Sequence, residues 1–263
     1  MIHGFRGTKQ GLSLVSKEIT KKARANGLNL ALIVPDLPGF GKGATLENYT
    51  LEEYVTWLHG YLFSVQKRFP RKKIILLGHS FGSIICAAYA KKYPKTIGSL
   101  ILVNPIAAPA LEGPKKALTK LAISYYKIGA MLPQKLAHTW LAAPPIVRVM
   151  SIAMAKTKDA ELRHYIHDQH ARYFSRFHSP ASVLAAFRTS VQHTVAESAA
   201  DIPLKTLLIA GSIDDITPLS DQFALVKKFP QATLKVIDNV GHLTHYETPE
   251  TVARHVYAFI TSV

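Results

Sequence analysis

The residues with the clearest chemical potential lie at Gly78-His79-Ser80-Phe81-Gly82, directly after the apolar run Ile74–Leu77 and directly before a stretch of helical character. A serine on a sharp strand-to-helix turn projects its hydroxyl away from the sheet, at the positive end of the following helix. Small residues two positions to either side are needed because larger side chains would collide with the backbone there. The same five residues also suit an ordinary tight turn in which Ser80 merely caps the helix. Partners separate the two readings. A serine hydroxyl is a weak nucleophile at neutral pH and needs a base within about 2.6–3.2 Å, itself held by a third group.

Both partners can be found downstream, in the order serine, acid, histidine. The run Thr206–Ala210 is followed by Gly211-Ser212-Ile213-Asp214-Asp215-Ile216-Thr217-Pro218, which puts two carboxylates on a loop at the carboxyl end of a strand. Ligands of open α/β sheets bind at that edge. Asp214 and Asp215 are alternatives on position alone, and a turn or helix-capping role is expected for Asp215 or Ser220. The run Leu234–Ile237 leads into Asp238-Asn239-Val240-Gly241-His242-Leu243-Thr244-His245. His242, in the loop after the last strand, is expected to reach Ser80. His245, nearer the final helix, is expected to contact backbone or face the rim of the pocket.

The elements that must position these groups follow from the hydrophobic pattern. Runs of four to six apolar residues at Leu30–Val34, Ile74–Leu77, Leu100–Val103, Leu207–Ala210 and Leu234–Ile237 read as parallel strands covered on both faces. Helical patterns at Gly11–Ala25, Leu51–Arg68, Gly82–Tyr93, Ser220–Phe229 and Pro249–Thr261 read as the crossovers between them. The fold class is therefore α/β. Between Val103 and Lys205 the sequence carries helical patterns without a strand signal, which reads as an insertion packed on the body. Within it, Lys115–Leu132 places Leu118, Leu121, Ala122, Tyr125, Ile128 and Leu132 on one helical face, expected to pack on the body, with Lys116, Lys120 and Lys127 elsewhere. The same basic, amphipathic helix suits weak peripheral contact with anionic lipid.

Composition narrows the classes further. The 263 residues carry a formal charge of +15, but the Lys and Arg residues are scattered and no nucleic-acid-binding motif accompanies them, so nucleic acid is not an expected partner. No apolar run approaches the roughly 20 residues of a membrane span. The first residues show no export signal, and a lone Cys86 cannot form an internal disulfide, so the expected location is the cytoplasm. A monomer or homodimer is expected, and Cys86, inside the helix after Ser80, is expected to be a buried thiol. His164, His167, Asp168 and His170 have a spacing that could share a helix face around a metal, but they sit opposite an ordinary apolar stripe, so no metal is expected.

The motifs together resemble the α/β-hydrolase superfamily, in its cap-bearing esterase, lipase and haloperoxidase-like branch. The resemblance is carried by His3-Gly4-Phe5, Asp36-Leu37-Pro38-Gly39-Phe40-Gly41, Gly78-His79-Ser80-Phe81-Gly82, Gly211–Pro218, and Gly241-His242 with Glu247 and Pro249. It implies an α/β-hydrolase core over 1–105 and 203–263 with a helical cap over 106–202. It also implies Ser80 as nucleophile, Asp214 as the acid, His242 as the base, and backbone N–H groups of Phe5 and Phe81 as the oxyanion hole. His3, Gly4, Gly78, His79 and Gly82 would support the turns. The implied reaction is hydrolysis of a small or medium ester or lactone without a cofactor. Carbon–carbon bond or amide hydrolysis by the same triad, or a non-catalytic small-molecule receptor, are the alternatives. Epoxide and haloalkane hydrolysis are disfavoured, because those relatives use an aspartate where this chain has Ser80. In such a fold a central strand leads into the His3-Gly4 turn, yet only Met1 and Ile2 precede it here, so the N-terminal strands look missing. A chain continuing upstream is the expected reason, ahead of two other possibilities: flanking strands that close on each other, or a second chain that fills the gap.

Overall fold

The computed structural model describes residues 1–109 and 116–262. Among these, four strands form one parallel sheet in the order β1 (Ile75–His79), β2 (Ser99–Val103), β3 (Thr206–Gly211) and β4 (Ala232–Ile237). Strand register pairs Leu77 with Ile101, Leu102 with Leu208 and Ile209 with Lys235. Side chains alternate between the two faces of a strand, so each strand feeds two cores. Leu77, Ile101, Val103, Leu207 and Ile209 pack against Val15 and Ile19 of α1 (Ser13–Ala25). Leu76, Leu100, Leu102 and Leu208 face the other way, with Tyr54 and Leu58 of α2 (Leu51–Arg68) and Ile84 and Ala87 of α3 (Phe81–Lys92). A capping box, Thr50 with Glu53, starts α2 where the sequence predicts it.

The described part of the insertion between β2 and β3 is built from helices joined by short loops, one of which bridges Phe177 to Phe40. It comprises α4 (Lys116–Met131), α5 (Gln134–Leu141), α6 (Pro144–Met154), α7 (Ala160–Tyr173), α8 (Pro180–Gln192) and α9 (Ala196–Ala199). The chain then completes the sheet with α10 (Leu219–Val226) between β3 and β4, and with α11 (Thr244–Glu247) and α12 (Pro249–Ile260) after β4. Val252 and Val256 of α12 join the face covered by α1.

Two expectations are corrected here. The first concerns α4, whose buried side is Tyr126 and Gly129, whereas Leu121 is 67% exposed and Ile128 45%. Gly129 allows the close approach, since a Cβ there would lie 2.8 Å from Leu141 Cδ2. Lys115, the predicted start of that helix, lies outside the described residues.

The second concerns Leu30–Val34, which forms no strand. The outer edge of β1 is met by Ile2, which donates to Leu77 O at 2.7 Å and accepts from His79 N–H at 2.9 Å. The Met1 amino group in turn donates to Ile33 O at 2.8 Å. A strand exists only where its backbone groups find a ladder, and with two residues standing between it and β1 the 30–34 segment has none among the described residues. The two flanking segments do not close on each other. Between them lies a cavity of about 180 Å³ lined by Leu30, Leu32, Tyr61, Ile75, Leu77 and Ile260, among others.

Candidate active site

β1 ends at His79 and α3 begins at Phe81, so Ser80 alone makes the turn, at φ 51° and ψ −121°. Such a left-handed backbone is costly for a non-glycine residue and persists only where the surroundings hold it. The flanking glycines make room for it. A Cβ on Gly78 would lie 2.4 Å from Gly82 O, and one on Gly82 would lie 2.6 Å from both Ile2 O and His3 O. Ser80 occupies the N-cap position of α3, yet its hydroxyl makes no capping bond. Instead Oγ lies 2.8 Å from His242 Nε2, and His242 Nδ1 lies 2.8 Å from Asp214 Oδ2. With Nδ1–H donating to the carboxylate, Nε2 is left to accept the serine proton.

Asp214 is buried at the carboxyl end of β3 and accepts five hydrogen bonds. Oδ2 accepts from His242, from Asn104 Nδ2 at 2.9 Å and from Thr217 Oγ1; Oδ1 accepts from the backbone N–H of Ile216 at 2.8 Å and of Thr217 at 3.0 Å. Burial pushes its carboxyl upward, but the charge of His242 and these donors outweigh burial and hold it well below the usual carboxylate range. Asp214 therefore makes the turn as well as the contact to histidine. This corrects the division expected from sequence: Asp215 pairs with Lys156 across 2.6 Å, and Ser220 does not cap α10.

The His3-Gly4 turn is pressed against the serine turn. A Cβ on Gly4 would lie 3.1 Å from both Ser80 Cβ and His79 Nδ1. His3 is fixed at both ring nitrogens, with Nδ1–H donating to Gly4 O at 2.9 Å and Nε2 accepting from Leu37 N–H at 2.8 Å. The turn closes through Gly7 N–H donating to Gly4 O at 3.0 Å. Asp36 braces it from outside by accepting from the N–H groups of Lys9 and Lys42. Among the described hydrogen bonds, none engages the N–H of Phe5 or that of Phe81, and the first N–H groups of a helix have no partner within it. Beside them the Phe5 ring meets Phe40, Phe81, Tyr126 and Phe187 with centroids 5.7–6.5 Å apart, an apolar aromatic cluster.

His79 donates from Nε2 to His242 O at 3.3 Å and so supports the loop that carries His242. Burial lowers its pKa to about 3. His245 is not at the rim: it is buried, its ring centroid 4.0 Å from that of His79. His167 and His170 each hold Ser151 Oγ through Nδ1, at 2.6 and 2.7 Å, and Asp168 pairs with Arg172. His167 and His170 thus join α7 to α6 through Ser151. Cys86 is buried, its thiol pushed up to about 12 by that burial.

Three residues of the site escaped the sequence reading. Asn104 follows β2 in a left-handed conformation, φ 45°, which asparagine tolerates better than most residues. Its Nδ2 donates to Asp214 while its Oδ1 accepts from Thr244 Oγ1 at 2.5 Å. Thr217 and Thr244 complete that buried network. The one sequence signal was position, since Asn104 sits at the same carboxyl edge of the sheet as Ser80 and Asp214.

Set against known proteins, residues 1–249 match the family described as alpha/beta hydrolase fold. Lipase 1 of Psychrobacter immobilis is 27% identical over 98% of this chain and 75% of its own length. Protein ABHD8 of Homo sapiens is 23% identical over 98% of this chain, and the chain spans about half of it, 54%. Among solved structures, a thermophilic esterase from Thermogutta terrifontis superposes with a TM-score of 0.74 over 99% of this chain and 88% of its own, at 21% identity.

Proposed function

The chain belongs to the α/β-hydrolase family, and on that premise we propose that it is a serine hydrolase cleaving a small or medium carboxylic ester or lactone through an acyl-enzyme on Ser80. The observation that carries the reading is the continuous relay from Ser80 Oγ through His242 to Asp214, 2.8 Å at each step, beside two unengaged backbone N–H groups. In this mechanism Ser80 Oγ attacks the carbonyl carbon as His242 Nε2 takes its proton. The N–H groups of Phe5 and Phe81 receive the charge that develops on the carbonyl oxygen. His242 then returns the proton to the departing alcohol oxygen. Water, deprotonated by the same nitrogen, attacks the acyl carbon; the acyl–Oγ bond breaks, His242 returns the proton to Ser80 Oγ, and the acid leaves. Asp214 keeps its negative charge throughout, fixes the tautomer and steadies the imidazolium. Two donors already aimed at the oxyanion are worth about 3–4 kcal/mol each in barrier. No cofactor enters any step.

The aromatic cluster around Phe5, next to the proposed oxyanion donors, favours an uncharged, apolar acyl group, and an ester is preferred over an amide because its leaving group demands less of the acid. A receptor without turnover would not need five hydrogen bonds spent on one carboxylate behind the histidine. The similarity to Lipase 1 supports an ester substrate.

A specific observation favours esters presented at a lipid surface. Helices α4, α5 and α6, here given the role of a cap, expose Leu121, Ile128, Met131, Leu136, Val149 and Ile152 beside the exposed cations Lys127, Lys135 and Arg148. Residues 113–158 contain no Asp or Glu. Exposed apolar side chains on helices that also expose cations suit an anionic interface.

The test treats the protein and Ser80→Ala with a fluorophosphonate and weighs both intact. One adduct on the parent and none on the variant is the expected result, followed by turnover in a screen of esters of graded acyl length. Absence of an adduct on the parent would sink the hydrolase reading. Cosedimentation with phosphatidylglycerol vesicles, weakened by salt and absent with phosphatidylcholine, checks the lipid surface separately.

A further inference from the structure

Arg6 stands next to the proposed oxyanion donor Phe5, and the mechanism does not use it. It is 1% exposed, so its guanidinium is shut away from solvent, and no carboxylate faces it among the described ion pairs. A buried charge needs compensation. Here that compensation comes from the insertion. Nε donates to Phe174 O at 2.9 Å, Nη2 to Leu141 O at 2.6 Å, and Nη1 to Tyr126 Oη at 3.3 Å, while Cζ lies 5.7 Å from the centroid of the Phe177 ring.

The two carbonyls have a particular origin. Leu141 is the last residue of α5, and Phe174 is the residue that follows α7. The carbonyls at a helix's carboxyl end have no partner within the helix and carry the negative end of its dipole. Two helix termini and one tyrosine hydroxyl of α4 thus converge on a single cation that projects from the core. Arg6 also holds φ 56° at the third position of the turn closed by Gly7 N–H and Gly4 O. That backbone favours glycine, and a larger residue there is strained. The residue therefore sits at a backbone cost that its side-chain contacts offset.

We propose that Arg6 is a positioning residue that couples the seating of the cap to the oxyanion hole. The cap grips the guanidinium, the guanidinium fixes the Gly4–Gly7 turn, and the turn aims the Phe5 N–H. The proposal rests on the hydrolase reading for its kinetic consequence but not for its structural one. Arg6→Met keeps the bulk and removes the hydrogen bonds; Tyr126→Phe removes one acceptor from the cap side without touching the turn. With an ester substrate, Arg6→Met lowers kcat by roughly 10- to 100-fold, part of what losing an oxyanion donor outright costs, while KM changes less than about threefold. Tyr126→Phe lowers kcat less, and the double variant is no worse than Arg6→Met alone. Hydrogen exchange reads the same coupling without turnover: in Arg6→Met the turn amide of Gly7, bonded to Gly4 O, and the last turns of α5 and α7 all exchange faster. Thr189→Val, which removes a bond from α8 to Tyr49 O in which neither Arg6 nor its acceptors take part, serves as a cap-loosening control and leaves kcat near that of the parent. A folded Arg6→Met with kcat within twofold of the parent overturns the coupling, as does faster exchange confined to the cap with the turn unchanged. If the parent itself forms no Ser80 adduct, the hydrolase reading has failed and the exchange experiment alone decides.

Discussion

Lowering the pH from 7 to 5 should unfold this protein or bring it close to unfolding, because it buries neutral histidines in its working parts. Burial lowers His3 to about 4, His79 to about 3 and His170 to about 3, from an ordinary 6.5, and lowers His245 well below that value. Each imidazole stays neutral in the folded state and takes up a proton once the chain unfolds. Through these histidines the unfolded chain binds more protons between about pH 4 and 6.5, and their contribution to stability is full above 6.5 and lost as pH falls. Integrating from pH 7 to 5, each of the first three contributes about 2 kcal/mol of loss, about 6 kcal/mol together. Asp214 acts only below the ordinary carboxylate range and does not enter this window, while Glu247, raised by burial, opposes it with one group. The loss matches the whole stability of many domains, about 5–15 kcal/mol. Urea unfolding followed by the fluorescence of Trp57 and Trp140 at pH 7.5, 6.5, 6 and 5.5 measures it. The slope should approach about 4 kcal/mol per pH unit near pH 5.5, and His170→Gln should remove about a third of it. A stability flat over that range, or a slope of one proton or less, about 1.4 kcal/mol per unit, would refute the burial argument.

Other outcomes follow from the same contacts. Asp214→Asn should cost about 10⁴-fold in kcat by favouring the wrong histidine tautomer, whereas Asp215→Asn should leave kcat within a few-fold; equal losses in steady-state assays would contradict the assignment. Asn104→Ala should lower kcat/KM about 10- to 100-fold, since a hydrogen bond to a charged group is worth about 1.5–3 kcal/mol; unchanged kinetics would leave Asn104 with a structural role alone. Gly82→Ala should fail to fold or lose more than about 3 kcal/mol in urea titration, because the new methyl would meet the backbone oxygens of Ile2 and His3, which cannot move aside as a side-chain tip can.

Much of the site was legible because its signals are local. The glycines at 78 and 82 announce a turn that tolerates no Cβ, the apolar runs around 75, 100, 207 and 234 announce strands, and loops at their carboxyl ends must share one edge. Ser80, Asp214 and His242 could be named from that logic and the family resemblance. The sequence could not show which residues a buried carboxylate or cation would meet, because such contacts join positions more than a hundred residues apart. Asn104 reaches Asp214, Thr244 reaches Asn104, and Arg6 reaches Leu141 and Phe174 only after the sheet has stacked and the insertion has folded back. Leu30–Val34 teaches the converse: its apolar composition is strand-like, but a strand is a pairing, and with Met1 and Ile2 lying between it and β1 this segment finds one bond, to Ile33 O, but no ladder among the described residues. Local chemistry thus pointed to the candidate site residues and to the order of most elements, while tertiary structure decided how each buried charge is compensated and which backbone finds a ladder, since both depend on what three dimensions bring within about 3 Å.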